Sequence, residues 1–104
     1  MPYAYMLRCR DGSYYVGSTW DLDRRVADHN LGQGLGAAYT SSRRPVVLVW
    51  SQHFDRIEDA FAFEKRVQGW GRAKREALIR GDWDAISALA RRRSVREREA
   101  VDPG

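Results

Sequence analysis

Two short stretches rich in tyrosine and valine open the chain, residues 3–10 (YAYMLRCR) and 13–18 (SYYVGS), with Asp11-Gly12 between them. Aromatic and β-branched side chains suit a pleated surface, and Asp-Gly readily takes the positive φ of a tight turn, so the pair predicts a β-hairpin. Ser18-Thr19-Trp20-Asp21 reads as a capping box ahead of DLDRRVADHN, where Leu22 and Val26 stand four apart as an amphipathic helix requires. Asn30 and Gly32 end that helix. Residues 32–44 form the longest loop, rich in Gly and Ser; its glycines follow a helix instead of opening one after a strand, which argues against a nucleotide fingerprint. After Pro45 the continuous apolar run VVLVW (46–50) predicts a strand buried on both faces or a central strand. Asp55, with Glu58 three residues on, predicts a capped start for IEDAFAFEKRVQ, closed by Gly69. Residues 72–81 (RAKREALIRG) read as a further helix, and Asp82 caps a last short one, WDAISALA. The order is ββαβααα. The expected class is α/β of the α+β type, a small three-stranded, mainly antiparallel sheet flanked by helices. One domain is expected over residues 1–90, with residues 91–104 an Arg/Glu-rich tail that frays or is disordered.

Composition narrows the class. A chain of 104 residues with 43% hydrophobic and 31% charged positions suits one soluble domain, and excludes collagen-like, disordered and membrane-embedded proteins. No apolar run approaches the ~18 residues of a spanning helix and no signal-peptide pattern opens the chain, so a cytoplasmic protein without a membrane partner is expected. The lone Cys9, with only His29 and His53 beside it, leaves no intrachain disulfide and no four-ligand zinc site. The tail holds five arginines against three acids, half of the net +4, so residues 1–90 are only mildly basic. That balance is compatible with nucleic acid without demanding it. Arginine supplies 16 of the 18 basic residues, which has two readings: codon bias, or guanidinium forks matched to phosphate.

Certain polar residues fall where helical periodicity calls for apolar ones. Ile57, Ala60, Phe61 and Val67 mark an inward stripe, and Glu64 lies on it. A carboxylate there needs a cation, hydrogen bonds or a proton, and a satisfied ion pair or a position at the stripe's edge would meet that need. Leu22, Arg25, Val26 and His29 share one side of the preceding helix, whereas Arg24 and Asp28 lie together on a different side and read as a surface pair. Arg25 as a buried partner of Glu64, and His29 as a hydrogen-bonded core-edge histidine, are the structural readings. A cation, an imidazole and a carboxylate all aimed inward also suggest a polar cleft. Tyr3, Tyr5, Tyr14 and Tyr15, four of five tyrosines, sit on the hairpin, where strand packing alone accounts for them or a phenol joins the cleft.

With these residues the sequence resembles the GIY-YIG nuclease family. Tyr15-Val16-Gly17 stands for Tyr-Ile-Gly, and Tyr3-Ala4-Tyr5 for Gly-Ile-Tyr with only its tyrosine kept. Arg25 follows Tyr15 by ten residues and His29 follows Arg25 by four, in the family's spacing; Glu64, within AFEKRVQGW, matches its metal-binding glutamate. The resemblance covers roughly residues 2–90 and is greatest to small stand-alone bacterial members, which share the pattern around Gly36, Tyr39, Thr40 and Arg43-Arg44-Pro45-Val46. Ala38 stands where close relatives often carry lysine.

The resemblance implies a metal-dependent endonuclease, a hydrolase of phosphodiester bonds, with DNA expected over RNA and a role like repair or recombination. Glu64 would hold a single Mg²⁺ or Mn²⁺, and Arg25 would stabilise charge on the five-coordinate phosphorus. Tyr5 would orient or deprotonate the attacking water, with Tyr15 close by; His29 would either accept the phenol proton or hydrogen-bond the phosphate. A phenolate at neutral pH needs a downward shift of ~3 units, ~4 kcal/mol. Tyr39, Thr40, Arg43 and Arg44 are the expected nucleic-acid contacts. Strong sequence specificity is not expected from this chain alone, which leaves room for a targeting protein partner without requiring one. The competing reading is a catalytically inactive nucleic-acid-binding module of the same fold. A plain two-residue turn at Asp11-Gly12 would pair Tyr5 with Ser18 and Tyr15 with Arg8, putting the phenols on opposite faces. A shared cleft therefore requires a three-residue turn or bulge around Asp11–Ser13.

Overall fold

The computed structural model describes residues 1–32 and 37–91; the expectations for 33–36 and for the tail from 92 onward lie outside the described residues. The elements are β1 (Tyr3–Arg8), β2 (Tyr14–Thr19), α1 (Leu22–Leu31), α2 (Ala37–Thr40), β3 (Val47–His53), α3 (Ile57–Gln68) and α4 (Arg72–Arg80), followed by α5 over residues 83–91. The sheet is antiparallel, three-stranded and ordered β2-β1-β3, an α+β fold. The one-turn α2, within the segment expected as a loop, is the element that periodicity misses. No helix among the described residues is long and apolar enough to cross a membrane.

The central strand is β1, with Ala4, Tyr5, Met6 and Leu7 at most 1% exposed. The run Val46–Trp50 is not the central strand: β3 has one neighbour, and its Val47 and Leu48 are exposed. Its register shifts between Met6 and Leu7, which face Trp50 and Leu48 and leave Val49 as the extra residue of a bulge. Only Val46, just ahead of the strand, joins the buried cluster of Tyr5, Leu7 and Cys9, against which Tyr15, Leu22 and Val26 pack.

The hairpin loop sets the function-bearing register. Cys9 N donates to Ser13 O (2.8 Å) and Gly12 N to Cys9 O (2.9 Å), which makes Arg10–Asp11–Gly12 a three-residue loop with Gly12 at φ +85°. Tyr5 therefore faces Gly17 and Leu7 faces Tyr15, so the two phenols share one sheet face.

Helix α1 begins at Asp21, whose side chain accepts from Arg24 N, and closes on Gly32. Near its end Asn30 grips Val46, accepting from Val46 N (2.8 Å) and donating to Val46 O (3.1 Å), so an amide side chain stands in for a strand neighbour. Helix α3 starts on Arg56 without a side-chain cap, not on the Asp55 capping box; Arg56 Nε turns instead to Glu58 Oε2 at 3.3 Å. Its acidic first turn and basic last turn complement the helix dipole. Ser18 and Val16, on the sheet face opposite Tyr5, contact α3 through Glu64 and Gln68. Helix α1 thus packs on the Tyr5 face through Leu22, Val26 and His29 and α3 on the other, and β2 pairs on one side only, with β1.

Contacts group the chain into two units, Met1–Gly69 and Trp70–Gly104. Within the second, Ala77, Leu78 and Ile86 are buried, and Asp82 Oδ1 caps α5 by accepting from Ala85 N at 3.0 Å.

Candidate active site

A buried polar chain joins β1, α1 and α2. Tyr5 Oη lies 3.0 Å from His29 Nε2, and His29 Nδ1 lies 2.9 Å from Thr40 Oγ1; all three residues are at most 1% exposed. Tyr15 packs on the imidazole at 4.8 Å between ring centroids and reaches Tyr39 at 5.8 Å. The ring of Tyr5 lies across Gly17, where an added Cβ would sit 2.6 Å from Tyr5 Oη and 2.7 Å from Cζ. The Tyr-Val-Gly motif is thus a steric statement: its glycine makes room for the other motif's tyrosine.

Burial governs the titration of these groups. Desolvation raises the Tyr5 hydroxyl well above the usual phenol range, helped by Tyr15 and Glu64 and opposed by Arg25. Tyr15 is raised by burial and by Glu64, again against Arg25. These directions are opposite to the one a resting phenolate needs. His29 is pushed below the ordinary imidazole range by burial and then by the Arg25 charge, with Asp28 opposing, so the imidazole is neutral at neutral pH.

On the other side of β2, Glu64 is 8% exposed. Ser18 Oγ donates to its Oε1 at 2.6 Å, Gln68 Nε2 donates to Oε2 at 2.8 Å, and Lys65 Nζ stands 3.9 Å from Oε2. Two neutral donors fix the carboxylate's direction while each oxygen keeps acceptor capacity. A single oriented carboxylate fits a hard divalent cation, which keeps most of its ligands as water and takes substrate oxygen as another. Among the described residues no group of three or more His, Cys, Asp and Glu is placed to form an all-protein cage.

Both sides open on one cleft of about 620 Å³, lined by Tyr5, Tyr15 and Gly17 from one sheet face and by Ser18, Ile57, Phe61 and Glu64 from the other. Helix α1 contributes Arg24, Arg25 and Asp28, and Trp20 and Asp21 complete the wall just ahead of it. The alternation of side chains along β2 means that these two sets meet around its free edge.

The helical periods explain why these particular residues carry the site. On α1 the core stripe is Leu22, Val26 and His29, while Asp21, Arg24, Arg25 and Asp28 form a second stripe at i, i+3, i+4 and i+7 along the cleft. Arg25 borders both, whereas Arg24 and Asp28 belong to the cleft instead of forming a pair on an unrelated surface. On α3, Ala60, Glu64 and Val67 are buried, and Ile57, Phe61 and Glu64 line the cleft. Glu64 is the residue the two stripes share. Phe61 departs from the expected inward stripe: it is 51% exposed.

The expected nucleic-acid contacts are placed variously. Tyr39 is partly exposed. Thr40 is buried with its hydroxyl on His29. Arg43 lies over the Tyr39 ring (4.1 Å), donates to Tyr39 O, and pairs with Asp11 Oδ2 at 3.1 Å. Arg44 donates to Ser41 O at 2.8 Å and to Asn30 O at 3.4 Å at the end of α1. Ser18 and Gln68, which hold Glu64, escape the sequence reading, although Gln68 stands one helical turn after Glu64 and spacing alone could have found it.

Comparison with known proteins gives a consistent picture. A family model described as the GIY-YIG catalytic domain matches residues 1–77. The UPF0213 protein of Halobacterium salinarum is 45% identical over 79 residues, 76% of this chain and 100% of that one. The UPF0213 protein of Streptococcus pneumoniae is 43% identical over 82 residues, covering 79% and 81% of the two chains. The solution NMR structure of the UPF0213 protein from Bacillus halodurans is 38% identical, covers 86% of this chain and 97% of that one, and superposes with a TM-score of 0.50.

Proposed function

The chain belongs to the GIY-YIG catalytic-domain family, and from that premise we propose that it is a metal-dependent endonuclease that hydrolyses nucleic-acid phosphodiester bonds. The observation that carries this reading is the convergence of Tyr5 from β1, Arg25 from α1 and Glu64 from α3 on one cleft, with Tyr5 joined to His29 at 3.0 Å behind it.

A neutral imidazole protonated at Nδ1 donates to Thr40 Oγ1, which leaves Nε2 free to accept from the Tyr5 hydroxyl. In that tautomer the phenol oxygen turns a lone pair to the cleft and can hold the attacking water. Because burial opposes a standing phenolate, Tyr5 accepts a proton from water as it passes its own to His29 Nε2. The water oxygen forms the new bond to phosphorus, the bond to the leaving strand's oxygen breaks, and that oxygen leaves with a proton from solvent. Arg25 faces the extra negative charge that builds on the phosphoryl oxygens. Glu64, oriented by Ser18 and Gln68, is the residue that would hold Mg²⁺ or Mn²⁺, which when bound supplies Lewis-acid stabilisation of the phosphate and leaving oxygen. DNA is the expected substrate, in a repair-like role.

The test is cleavage of flap, branched and single-stranded DNA, with matching RNA, in Mg²⁺, Mn²⁺ or EDTA, for the wild type and Glu64→Gln. Metal-dependent cutting that disappears in Glu64→Gln supports the reading. Binding without cutting in any metal overturns it in favour of the inactive module.

A further inference from the structure

Trp20 and Phe61 line the same cleft with 60% and 51% of their surfaces exposed, and large aromatic rings supply much of the energy of interfaces. Their placement is tied to the proposed metal-binding carboxylate. Trp20 follows Ser18 by two residues, Phe61 precedes Glu64 by three on the same helix, and the Ser18–Glu64 hydrogen bond of 2.6 Å brings those two segments together. Cations accompany the rings: Lys65 Nζ sits 4.8 Å from the Phe61 ring centre, and Arg24 and Arg25 line the same cleft. Exposed aromatic faces set among basic side chains, beside a phosphate-handling site, form the combination that takes up bases together with their backbone.

We propose that Trp20 and Phe61 stack on unpaired nucleobases flanking the scissile phosphate, so that the substrate class is nucleic acid with unpaired bases and not continuous duplex. The proposal rests on the phosphodiester reading of the cleft and adds what lies next to the phosphate. A base inside a duplex has both π-faces covered by its neighbours and offers nothing to either ring; an unpaired base presents a free face. Stacking of this kind tolerates any base, because every base has such a face.

Binding measured in EDTA separates this proposal from cleavage. The probes are a fluorescein-labelled 12-nucleotide single strand, the same strand as a duplex, and the same strand with abasic residues at its centre. Trp20→Ala and Phe61→Ala should each weaken single-strand binding by about 5- to 150-fold, given the usual worth of a base–aromatic stack. Duplex binding should stay within about twofold, and Trp20→Phe should recover most of the single-strand affinity. The abasic strand should bind the wild type about as weakly as the intact strand binds the double alanine variant. Both side chains are exposed, and thermal melts of the variants verify that they remain folded. Equal losses for single strand and duplex, no loss for either, or no measurable binding to any probe overturns the proposal. The two readings fail separately: stacking-dependent binding without metal-dependent cutting leaves this inference standing, whereas Glu64-dependent cutting indifferent to both aromatic variants leaves only the nuclease.

Discussion

Tyr5 Oη and His29 Nε2, 3.0 Å apart and both buried, bind the central strand to the first helix through one shared proton. If that proton moves during hydrolysis, removing the hydroxyl alone should stop chemistry while leaving the fold. Tyr5→Phe keeps the ring that fills the space over Gly17 and should cost about 1–3 kcal/mol of stability, since it leaves the buried His29 Nε2 without its donor. Single-turnover cleavage should fall by about 10²- to 10⁴-fold, the usual worth of a positioned proton acceptor, with substrate affinity nearly unchanged. A variant that keeps its rate would remove Tyr5 from the reaction.

The same pair predicts how acid acts. His29 is held below the ordinary imidazole range, by burial first and by Arg25 second, with Asp28 opposing. The folded state therefore binds fewer protons than the unfolded chain once the pH drops through the unfolded value of ~6.5. Stability present above that pH should decline on acidification until the lowered native value is passed, then level off. Thermal melts from pH 8 to pH 5 should show the decline, and His29→Gln should flatten it. Cleavage should plateau through neutrality and fall only on the acid side, as His29 takes up its proton. Because the Tyr5 hydroxyl is raised, no second fall is expected as the pH climbs to about 9.

Gly17→Ala tests whether the motif glycine serves the tyrosine. A Cβ at this position would lie 2.6 Å from Tyr5 Oη and 2.7 Å from Cζ, well inside contact distance, so the ring must swing away from His29. Overpacking of this kind costs about 1–3 kcal/mol, and cleavage should be lost with the hydrogen bond. Pairing Gly17→Ala with Tyr5→Phe should not restore stability, because the clash at Cζ remains. Pairing it with Tyr5→Leu should restore part of it in chemical denaturation, without activity.

The polar residues gathered in and behind the cleft were more legible in the sequence than the strand order. Arg25, His29 and Glu64 stand out because each breaks an apolar stripe, and a polar side chain on such a stripe reports a constraint beyond packing. Periodicity nonetheless places Phe61 with the core, since an aromatic ring at a cleft rim and one in a core carry the same letter. The run Val46–Trp50 misleads for a related reason. Continuous apolar character says that a strand is buried somewhere, and Val46 is; it says nothing about how many strands flank it, and β3 has only β1. Thr40 carries no periodic signal at all, because its partner His29 lies eleven residues away on a different helix.

The hairpin loop yields the last expectation. Gly12, at φ +85°, closes the three-residue loop that sets Tyr5 against Gly17 and both phenols on one face. A Cβ at Gly12 meets nothing within 4 Å, so the cost of Gly12→Ala is backbone strain alone, about 1 kcal/mol. The strain does not favour the competing register. A two-residue turn at Asp11-Gly12 would either need positive φ at both positions (type I′), penalising alanine at Gly12 as well, or put Asp11 in the glycine-favouring first position of a type II′ turn. Two side-chain contacts also favour the existing loop: Asp11 Oδ1 accepts from Ser13 N at 3.0 Å, and Asp11 Oδ2 pairs with Arg43 at 3.1 Å. Gly12→Ala should therefore melt earlier and unfold at lower denaturant, yet cleave at the wild-type rate well below its melting temperature. Gly12→Asn should lose less stability, since asparagine tolerates the left-handed region. Cleavage lost in a folded Gly12→Ala would mean that the strands had slipped by one residue and carried Tyr15 to the opposite face.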